Sequence, residues 1–433
     1  MTEEIRPPRV VGTIGATLMS VNGMIGAGIF ALPAILYAET GNFAPWMFLI
    51  FGLLFSCNIL VASRMAAMFR SSGGVQLYAQ AAFGPIVGFQ VGWLLVIAIS
   101  AGRAATLHVL VSYLSVFFPF LQDGPARIFA VLALLIALSA LTTSGMRNAV
   151  AGIMVGTVLK VTPILLLCVV AFAVGGLSVS FELPSFGTFE SVALLVYFAF
   201  SGTINSTYSA GEIKNPRRTL PRSMLLSLAA IIVLYMAVQW AYIAAGAPSS
   251  AGNAAPLAAA AGAVMGETGV VILTLAAIFS ITTNALTFFV SGPRIIYGMA
   301  DRGLLPKTLA HVSDHFRTPD RAILLFTLIV AMVSLSGNFT FLAKVTSLGA
   351  QIAILSMFAA FVYFQVRGRE GHDTGLTPVW VLIVFVGVAF SIYASAQAPL
   401  EAFGLIAGLI VIGTLLSFVA RRNEIEKPAP IVD

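Results

Sequence analysis

Charged side chains are scarce in this chain of 433 residues. Asp, Glu, Lys and Arg make up 9% of it, and 59% of the residues are hydrophobic. Ordinary soluble domains carry about 25% charged residues, so water is not the solvent of most of this surface. The composition therefore excludes a soluble domain of the usual kind and predicts an integral membrane protein in contact with membrane lipid.

Histidine and cysteine are also rare. None of the four histidines stands in an HExxH or similar spacing, and both cysteines, Cys57 and Cys168, lie inside apolar stretches. A membrane enzyme would need a cluster of His, Cys or carboxylates to bind a metal or to activate a nucleophile. The sequence therefore predicts no catalytic site, no metal and no cofactor.

No basic patch with interleaved aromatics accompanies the net charge of +6, which argues against a nucleic-acid partner. Most of the 23 basic residues, from Arg64 to Lys427, flank ends of apolar stretches that would be cytoplasmic if both termini are inside. Only Arg127 lies near the opposite side, where the loops carry acidic residues such as Glu39 and Glu267. We expect a multi-pass protein of the cell membrane, with both termini cytoplasmic and no cleaved signal peptide.

Apolar stretches of about 20 residues recur along the chain, and no polar gap between them is large enough for a second domain. About twelve are long enough to cross a bilayer as helices, so we interpret residues 1–433 as one all-α membrane transport domain. The stretches lie near residues 12–38, 44–63, 85–118, 126–144, 149–176, 190–210, 224–246, 269–300, 322–336, 341–365, 378–396 and 402–420.

Two of the predicted spans are interrupted where the middle of the bilayer would lie. The first holds three glycines within the six residues from Gly23 to Gly28, and the sixth holds a polar run from Ser201 to Ser209. Glycine costs up to about 1 kcal/mol in a helix interior, and buried polar groups need partners. Both spans are therefore predicted to break.

Breaks at ordinals one and six indicate two inverted halves of five helices with a site between them. The halves would be residues 12–176 and 190–365, and the helices within residues 378–420 would be accessory. Close packing of helices through small residues is the alternative explanation of the isolated glycines.

Four short motifs follow one another in the first three quarters of the chain. They are Gly23-Met24-Ile25-Gly26-Ala27-Gly28-Ile29-Phe30 with Pro33; Ser72-Gly73-Gly74 with Tyr78 and Phe83-Gly84-Pro85; Glu212-Ile213-Lys214-Asn215-Pro216 with Pro221; and Arg294 to Tyr297 with Asp301-Arg302-Gly303 and Pro306. Together they resemble the amino acid–polyamine–organocation transporter family. The resemblance implies the leucine-transporter-type 5+5 inverted-repeat fold, with broken helices 1 and 6, and alternating access.

The same resemblance implies a substrate site at the two breaks. N–H groups near Ala27 and Gly28, at the positive end of a half-helix, would hold the α-carboxylate. Carbonyl groups near Met24, Phe198 and Ser201 would accept hydrogen bonds from the α-ammonium. The predicted site consists of Gly23, Met24, Gly26, Ala27, Gly28, Phe198, Ser201 and Gly202.

Phe198 stands where members of the family carry an aromatic residue that covers the substrate, although a phenylalanine on an apolar helix also serves simply for packing. Thr203 and Ile204 follow Gly202, where the family pattern continues with an aromatic residue and a glutamate. This departure removes an acidic group and leaves substrate range and gating open.

Lys160 lies near the middle of the fifth predicted span, where a charged group costs about 2.5–3.5 kcal/mol on insertion scales. Resemblance to sodium-coupled relatives places its ammonium at their cation site, near Ser280 or Thr283. A lysine in a low dielectric changes protonation readily, so these residues are predicted to couple a proton to transport. The alternative is a permanently charged lysine that only ties the fifth span to the broken first span.

Arg103 lies half-way along the third predicted span, so its guanidinium cannot easily reach either membrane surface. Alignment with the family's third helix places it beside the substrate side chain. Because Ile204 replaces the family's acidic residue, the pocket is more positive, and guanidinium binds carboxylate in a bidentate fork. Arg103 is therefore predicted to contact a polar or acidic substrate side chain. The alternative is a structural arginine bonded to carbonyls of the sixth span or to a nearby carboxyl group.

We therefore predict a secondary active transporter of amino acids that works by alternating access, in symport with protons. The nearest alternatives are an amino acid exchanger and an exporter without proton coupling. A transport-inactive membrane nutrient sensor is an alternative of another class, and the short tails around Thr2 and Asp433 argue against its signalling domain. The sequence does not determine which amino acid is carried, whether a helper subunit is needed, or the oligomeric state.

Overall fold

A computed structural model describes residues 12–69, 74–144, 149–177, 179–203, 213–247, 255–367 and 376–423. The α-helices within these ranges are α1 (Thr13–Met24), α2 (Ala27–Thr40), α3 (Ala44–Phe69), α4 (Gly74–Phe83), α5 (Pro85–Leu114), α6 (Gly124–Thr143), α7 (Ala149–Gly175), α8 (Phe186–Phe200), α9 (Pro216–Ala244), α10 (Pro256–Asp301), α11 (Asp320–Ser334), α12 (Phe339–Arg367), α13 (Pro378–Ala396) and α14 (Leu400–Asn423). Every regular element in the described ranges is helical, as the composition predicts.

Seven helical segments of the described chain are long and apolar enough to cross a membrane. They are Ala27–Phe69, which joins α2 to α3, and Pro85–Leu114, Gly124–Thr143, Arg218–Ala244, Pro256–Asp301, Phe339–Arg367 and Pro378–Ala396. Two shorter apolar stretches, Lys160–Gly175 and Leu400–Leu416, add to them. The chain is therefore a multi-pass, all-α membrane protein, and the twelve-span arrangement stays a prediction because helices such as α8 and α11 are short.

Helix α5 lies at the centre of the bundle. Of its most apolar stretch, 94% is buried inside the protein, against 22% for α6 and for α13. The two outer helices instead expose large apolar side chains such as Phe129 and Phe385, as a lipid-facing surface requires. A polar residue in the middle of α5 is therefore surrounded by protein.

The first predicted span is broken, as expected from its glycines. Helix α1 ends at Met24 and α2 begins at Ala27, and Ile25 and Gly26 between them leave the helical conformation. Gly26 is extended, with φ −133° and ψ −143°. The chain thus presents the carbonyl end of one half-helix and the N–H end of the next at one place.

The sixth predicted span also ends early. Helix α8 starts behind the capping residue Ser185, whose hydroxyl accepts a hydrogen bond from the Thr188 N–H, and it stops at Phe200. A short 3₁₀ turn covers residues 201–203, and the rest of the predicted polar run, residues 204–209, lies outside the described residues. The departure at Ile204 lies there as well.

Two elements differ from the apolar pattern. Residues before the third span form a helix of their own, α4, which packs against α5 and α12. Helix α10 begins 13 residues before the predicted eighth span, at Pro256 rather than at residue 269, and bends at Gly266, whose φ of 63° suits glycine. Both elements are amphipathic or interrupted, so hydropathy alone does not delimit them.

Candidate functional site

Side chains from other helices satisfy the carbonyl groups at the end of α1. A helix leaves its last four carbonyls without intrahelical partners, and burial of such groups is costly. Here the donors are Lys160 of α7, Tyr235 of α9 and Asn284 of α10. The break is thus held by three helices that are far apart in sequence.

Lys160 is fully buried and lies at the carbonyl end of α1. Its Nζ donates to the carbonyl oxygens of Ile25 at 3.1 Å and Asn22 at 3.3 Å, and also to the side-chain oxygen of Asn22. A cation is favoured at this end of a helix because the dipole is negative there. Lys160 thus ties the fifth span to the broken first span, a contact that both the proton-coupling role and its structural alternative allow.

Ser280 and Thr283 are not among the hydrogen-bond partners of Lys160 in the described part of the chain. The Thr283 hydroxyl donates to carbonyls of its own helix, those of Phe279 and Ser280. The Ser280 hydroxyl is buried and has no partner among the described residues. A position of the Lys160 ammonium near these two hydroxyls therefore stays a prediction.

Asn284 connects the same carbonyls to Arg103. Its Nδ2 donates to the carbonyl oxygens of Asn22 and Gly23, each at 3.1 Å. Its Oδ1 accepts a hydrogen bond of 2.8 Å from Nη1 of Arg103. A continuous chain of buried hydrogen bonds therefore runs from Lys160 across the end of α1 to α5.

Arg103 is buried in the middle of α5, as predicted. Its guanidinium carbon lies 3.8 Å from the ring centre of Phe288, a cation–π contact, and Asn284 is its hydrogen-bond partner. Its Nε has no partner, and no carboxylate pairs with the guanidinium within the described residues. Among the described residues Arg103 bonds neither to a carbonyl of the sixth span nor to a carboxyl group, and residues 204–209 of that span lie outside the described residues, so the structural alternative stays open.

A cavity of about 60 Å³ opens beside Arg103. This volume suits a few water molecules. Its lining combines Gly102 and Arg103 of α5, Ser201 of the 3₁₀ turn, Phe288 of α10 and Thr346 of α12, with apolar side chains around them. The predicted site residues Arg103 and Ser201 thus share one cavity.

The 3₁₀ turn at residues 201–203 that ends α8, here called the second break, touches the first break at Gly202. A Cβ built on Gly202 would lie 2.3 Å from the Gly23 carbonyl oxygen and 2.7 Å from the Met24 nitrogen, closer than any real contact. Gly26 likewise lies under the side chain of Asn284, where a Cβ would be 2.7 Å from Oδ1. These glycines are required by close approach, which accounts for their spacing.

The N–H end of α2 is the open side of the first break. Gly26, the residue before α2, has no side chain to cap it, so among the described residues the N–H groups at Ala27 and Gly28 begin the helix without a side-chain acceptor. Gly28 lies near α8, because a Cβ there would be 3.4 Å from the Ala199 Cα. The start of α2 therefore offers an anion-binding end next to the second break.

Two of the predicted ammonium acceptors are already bonded. The Met24 carbonyl oxygen accepts from the Gly26 N–H at 2.9 Å and from the Tyr235 hydroxyl at 2.8 Å. The Phe198 carbonyl oxygen accepts from the Ser201 N–H and from the Ser201 hydroxyl, the latter at 2.8 Å. A carbonyl has two lone pairs, so neither is free in this conformation, contrary to the expectation from sequence.

Phe198 lies at the edge of this region. Its ring is 7% exposed and packs edge-on against Phe339, with ring centres 5.8 Å apart. A Cβ on Gly102 would lie 3.9 Å from the Phe198 ring, so the ring stands next to the cavity lining. Its contacts in this conformation are those of a packed core residue.

Tyr235 and Asn284 were missed by reasoning from sequence. Each is a polar residue within a largely apolar stretch of its helix, and both are almost fully buried. That signal is present in the sequence, because a buried polar group in a membrane helix needs a partner. The partners themselves, backbone carbonyls of another helix, leave no mark in the sequence.

Comparison with known proteins relates this chain to membrane transporters. A family model described as amino acid permease matches residues 11–418. The chain is similar to a branched-chain amino acid permease of Lactococcus lactis, with 24% identity over 96% of both chains.

Two proteins of Bacillus subtilis are also similar. A serine/threonine exchanger is 24% identical and aligns with 90% of this chain and 91% of its own length. A methylthioribose transporter is 23% identical and aligns with 96% of this chain and 94% of its own length. The three relatives are named for three different cargoes.

Proposed function

This chain belongs to the amino acid permease family and is therefore a membrane transporter rather than an enzyme; on that premise we propose that it carries amino acids by alternating access, in symport with protons. The cell membrane is its proposed location, with both termini cytoplasmic. Residues 12–176 and 190–365 are its proposed inverted halves, and residues 378–420 are accessory.

The observation that carries the proposal is the uncapped N–H end of α2 at the first break. A helix N-terminus favours a carboxylate, and the glycines at 26 and 28 allow a close approach to the backbone. The proposed site pairs this end with the end of α8, where Ser201 and Gly202 lie, for the α-ammonium. Because the Met24 carbonyl is already bonded, we assign no acceptor role to it.

The proposed proton site is Lys160 together with Ser280. Lys160 is fully buried, and it has neutral acceptors only among its described hydrogen-bond partners. A lysine without a carboxylate partner in a low dielectric exchanges its proton most readily. The unpartnered Ser280 hydroxyl, on a helix that packs against α7, is the proposed second partner, whereas the Thr283 hydroxyl is held by its own helix.

The test is uptake by purified protein in liposomes over a panel of amino acids, with and without a pH gradient. We expect saturable uptake that an inward proton gradient increases, and loss of that increase in Lys160→Ala. Lys344→Ala is the matched control, since Lys344 lies on α12 outside this network. Sodium-dependent uptake, or an unchanged response to the gradient in Lys160→Ala, would contradict proton coupling. Counterflow without net uptake would favour exchange, the activity for which the serine/threonine exchanger of Bacillus subtilis is named.

Arg103 is the proposed contact for a polar or acidic substrate side chain. It lines the cavity and has no carboxylate partner within the described residues. A substrate carboxylate would supply that partner in a bidentate geometry. Competition of labelled uptake by aspartate, glutamate and neutral amino acids, on wild type and Arg103→Gln, tests this role. An unchanged order of preference together with lower stability would make the arginine structural.

A further inference from the structure

The hydrogen bonds of Asn284 allow only one orientation of its amide. Guanidinium has donors only, so the atom that faces Arg103 must be Oδ1. The carbonyls of Asn22 and Gly23 have acceptors only, so the atom that faces them must be Nδ2. The Asn284 side chain is therefore hydrogen-bonded to Arg103 through Oδ1 and to the end of α1 through Nδ2.

The hydrogen bond that Oδ1 of Asn284 accepts and the hydrogen bonds that its Nδ2 donates depend on each other. A cation at Oδ1 polarises the amide and strengthens the hydrogen bonds that Nδ2 donates. If the guanidinium leaves, Oδ1 becomes a buried acceptor without a partner, and the amide gains by rotating toward another donor. Rotation removes Nδ2 from the carbonyls of Asn22 and Gly23.

Substrate binding at the cavity requires Arg103 to move. At its present size the cavity has room for only a few water molecules, and the guanidinium on its border is held by Asn284 and Phe288. A carboxylate is a stronger acceptor for guanidinium than a neutral amide is. An acidic side chain that enters the cavity therefore competes directly with Asn284 for Arg103.

Resting on the proposed function, we propose that Asn284 is a positioning residue that couples the cavity to α1. An acidic substrate side chain takes the guanidinium of Arg103 from Asn284, and the end of α1 loses two of its hydrogen bonds. The movement of α1 then follows occupation of the cavity by an acidic amino acid, with the remaining bonds from Lys160 and Tyr235 still in place.

The movement of α1 is measured by the reactivity of a cysteine at position 20. Ser20 lies on α1, is fully buried, and its hydroxyl has no partner among the described residues, so cysteine fits there. The two native cysteines are first replaced, as Cys57→Ala and Cys168→Ala. The rate at which a maleimide labels Ser20→Cys in the purified full-length protein then reports how often α1 moves away from the bundle.

Without substrate, Asn284→Ala should raise the labelling rate about tenfold, because a hydrogen-bond link to a charged group is lost. Asn284→Asp keeps an acceptor for Arg103 but no donor for the α1 carbonyls, so it should raise the rate as well. If Asn284→Ala does not fold, the labelling rate of Asn284→Asp is used to test the proposal. Thr274→Ala is the control, since Thr274 is equally buried on α10 and has no described hydrogen bond. Slow labelling of Asn284→Asp, equal to that of Thr274→Ala, overturns the proposal.

With L-aspartate as the probe, labelling should accelerate in the parent protein and stay unchanged in Arg103→Gln. The double variant Arg103→Gln with Asn284→Ala should label no faster than Asn284→Ala alone, because both residues act through one bond. If neither aspartate nor glutamate accelerates labelling of the parent protein, the proposal for Asn284 is wrong. Uptake of neutral amino acids by the same protein would still support the proposed function. Absence of uptake for the whole panel contradicts the proposed function, and the labelling rates without substrate still decide the role of Asn284.

Discussion

Both breaks leave backbone carbonyls without partners in their own helix, and different groups bond to these carbonyls at each break. At the first break, the carbonyls that α1 leaves free are bonded by Lys160, Tyr235 and Asn284, which come from three other helices. At the second break, two of the hydroxyl donors belong to the 3₁₀ turn itself: Ser201 donates to the Phe198 carbonyl and Thr203 to the Phe200 carbonyl. The Tyr235 hydroxyl of α9 adds a longer bond, of 3.3 Å, to the Ala199 carbonyl.

This difference follows from the residues at each break. Glycines bend the first break but have no side chain with which to cap it, so its shape depends on tertiary packing. Serine and threonine after α8 bond to nearby carbonyls within their own segment. We infer that the first break responds to movements of α7, α9 and α10, whereas the second depends mainly on its own segment, with one bond from α9.

The largest expected effect concerns the place where the breaks meet. Gly202→Ala puts a methyl group 2.3 Å from the Gly23 carbonyl oxygen, and backbone on both sides cannot yield cheaply. Overpacking of this kind costs about 1–3 kcal/mol or more, so we expect a clear fall in thermal unfolding temperature and loss of uptake. Gly187→Ala, on the helix α8 that precedes this turn, is the control, because nothing lies within 4 Å of a Cβ there. Equal stability of the two variants would mean that the breaks do not touch.

The second prediction separates binding from packing at the start of α2. Gly28→Ala meets Ala199 at 3.4 Å, an ordinary contact, so the protein should fold, whereas Gly28→Val brings branches against α8 and covers the N–H groups. We expect reduced uptake in the alanine variant and none in the valine variant, measured in liposomes. Gly408→Val, in open space on α14, controls for the effect of valine. Normal uptake by a properly inserted Gly28→Val protein would remove α2 from the site.

The third prediction tests the tertiary support of the first break. Tyr235→Phe keeps the ring contacts with Phe48 and Phe200 but removes the hydroxyl that donates to the Met24 carbonyl. The expected loss of unfolding free energy is about 0.5–1.5 kcal/mol, the usual value of one hydrogen bond. Tyr297→Phe is the control, because no hydrogen bond of its hydroxyl is found in the described chain. A stability equal to that of the control would show that Tyr235 does not support α1.

The sequence predicted the features that one segment determines by itself. Glycine spacing predicted the first break, and charge inside an apolar stretch predicted that Lys160 and Arg103 are buried in protein. Their partners were not predicted, because a pairing such as Arg103 with Asn284 depends on the rotation of two helices, which hydropathy does not determine.

The Met24 carbonyl is a second case in which the position of a group was predicted but its partner was not. Its position at the end of α1 was predicted correctly, and it was expected to be free for the substrate. The hydroxyl that occupies it comes from Tyr235, 211 residues away in sequence. Contacts between residues so far apart in sequence can be identified only in the packed structure, whereas the break itself can be predicted from the local residues.

The smallest expected effect concerns Ser201. Ser201→Ala removes a hydroxyl that donates to the Phe198 carbonyl, but the Ser201 N–H still bonds to the same oxygen. No buried acceptor is left without a partner, so we expect a loss of about 0.5 kcal/mol or less, below that of Tyr235→Phe. The KM for uptake should change little if backbone rather than this hydroxyl binds the substrate. Ser185→Ala, which removes the cap of α8, provides a reference for a local hydroxyl at the other end of the helix. A destabilisation by Ser201→Ala as large as that by Tyr235→Phe would contradict this expectation, because the Ser201 hydroxyl would then contribute more than a replaceable local bond.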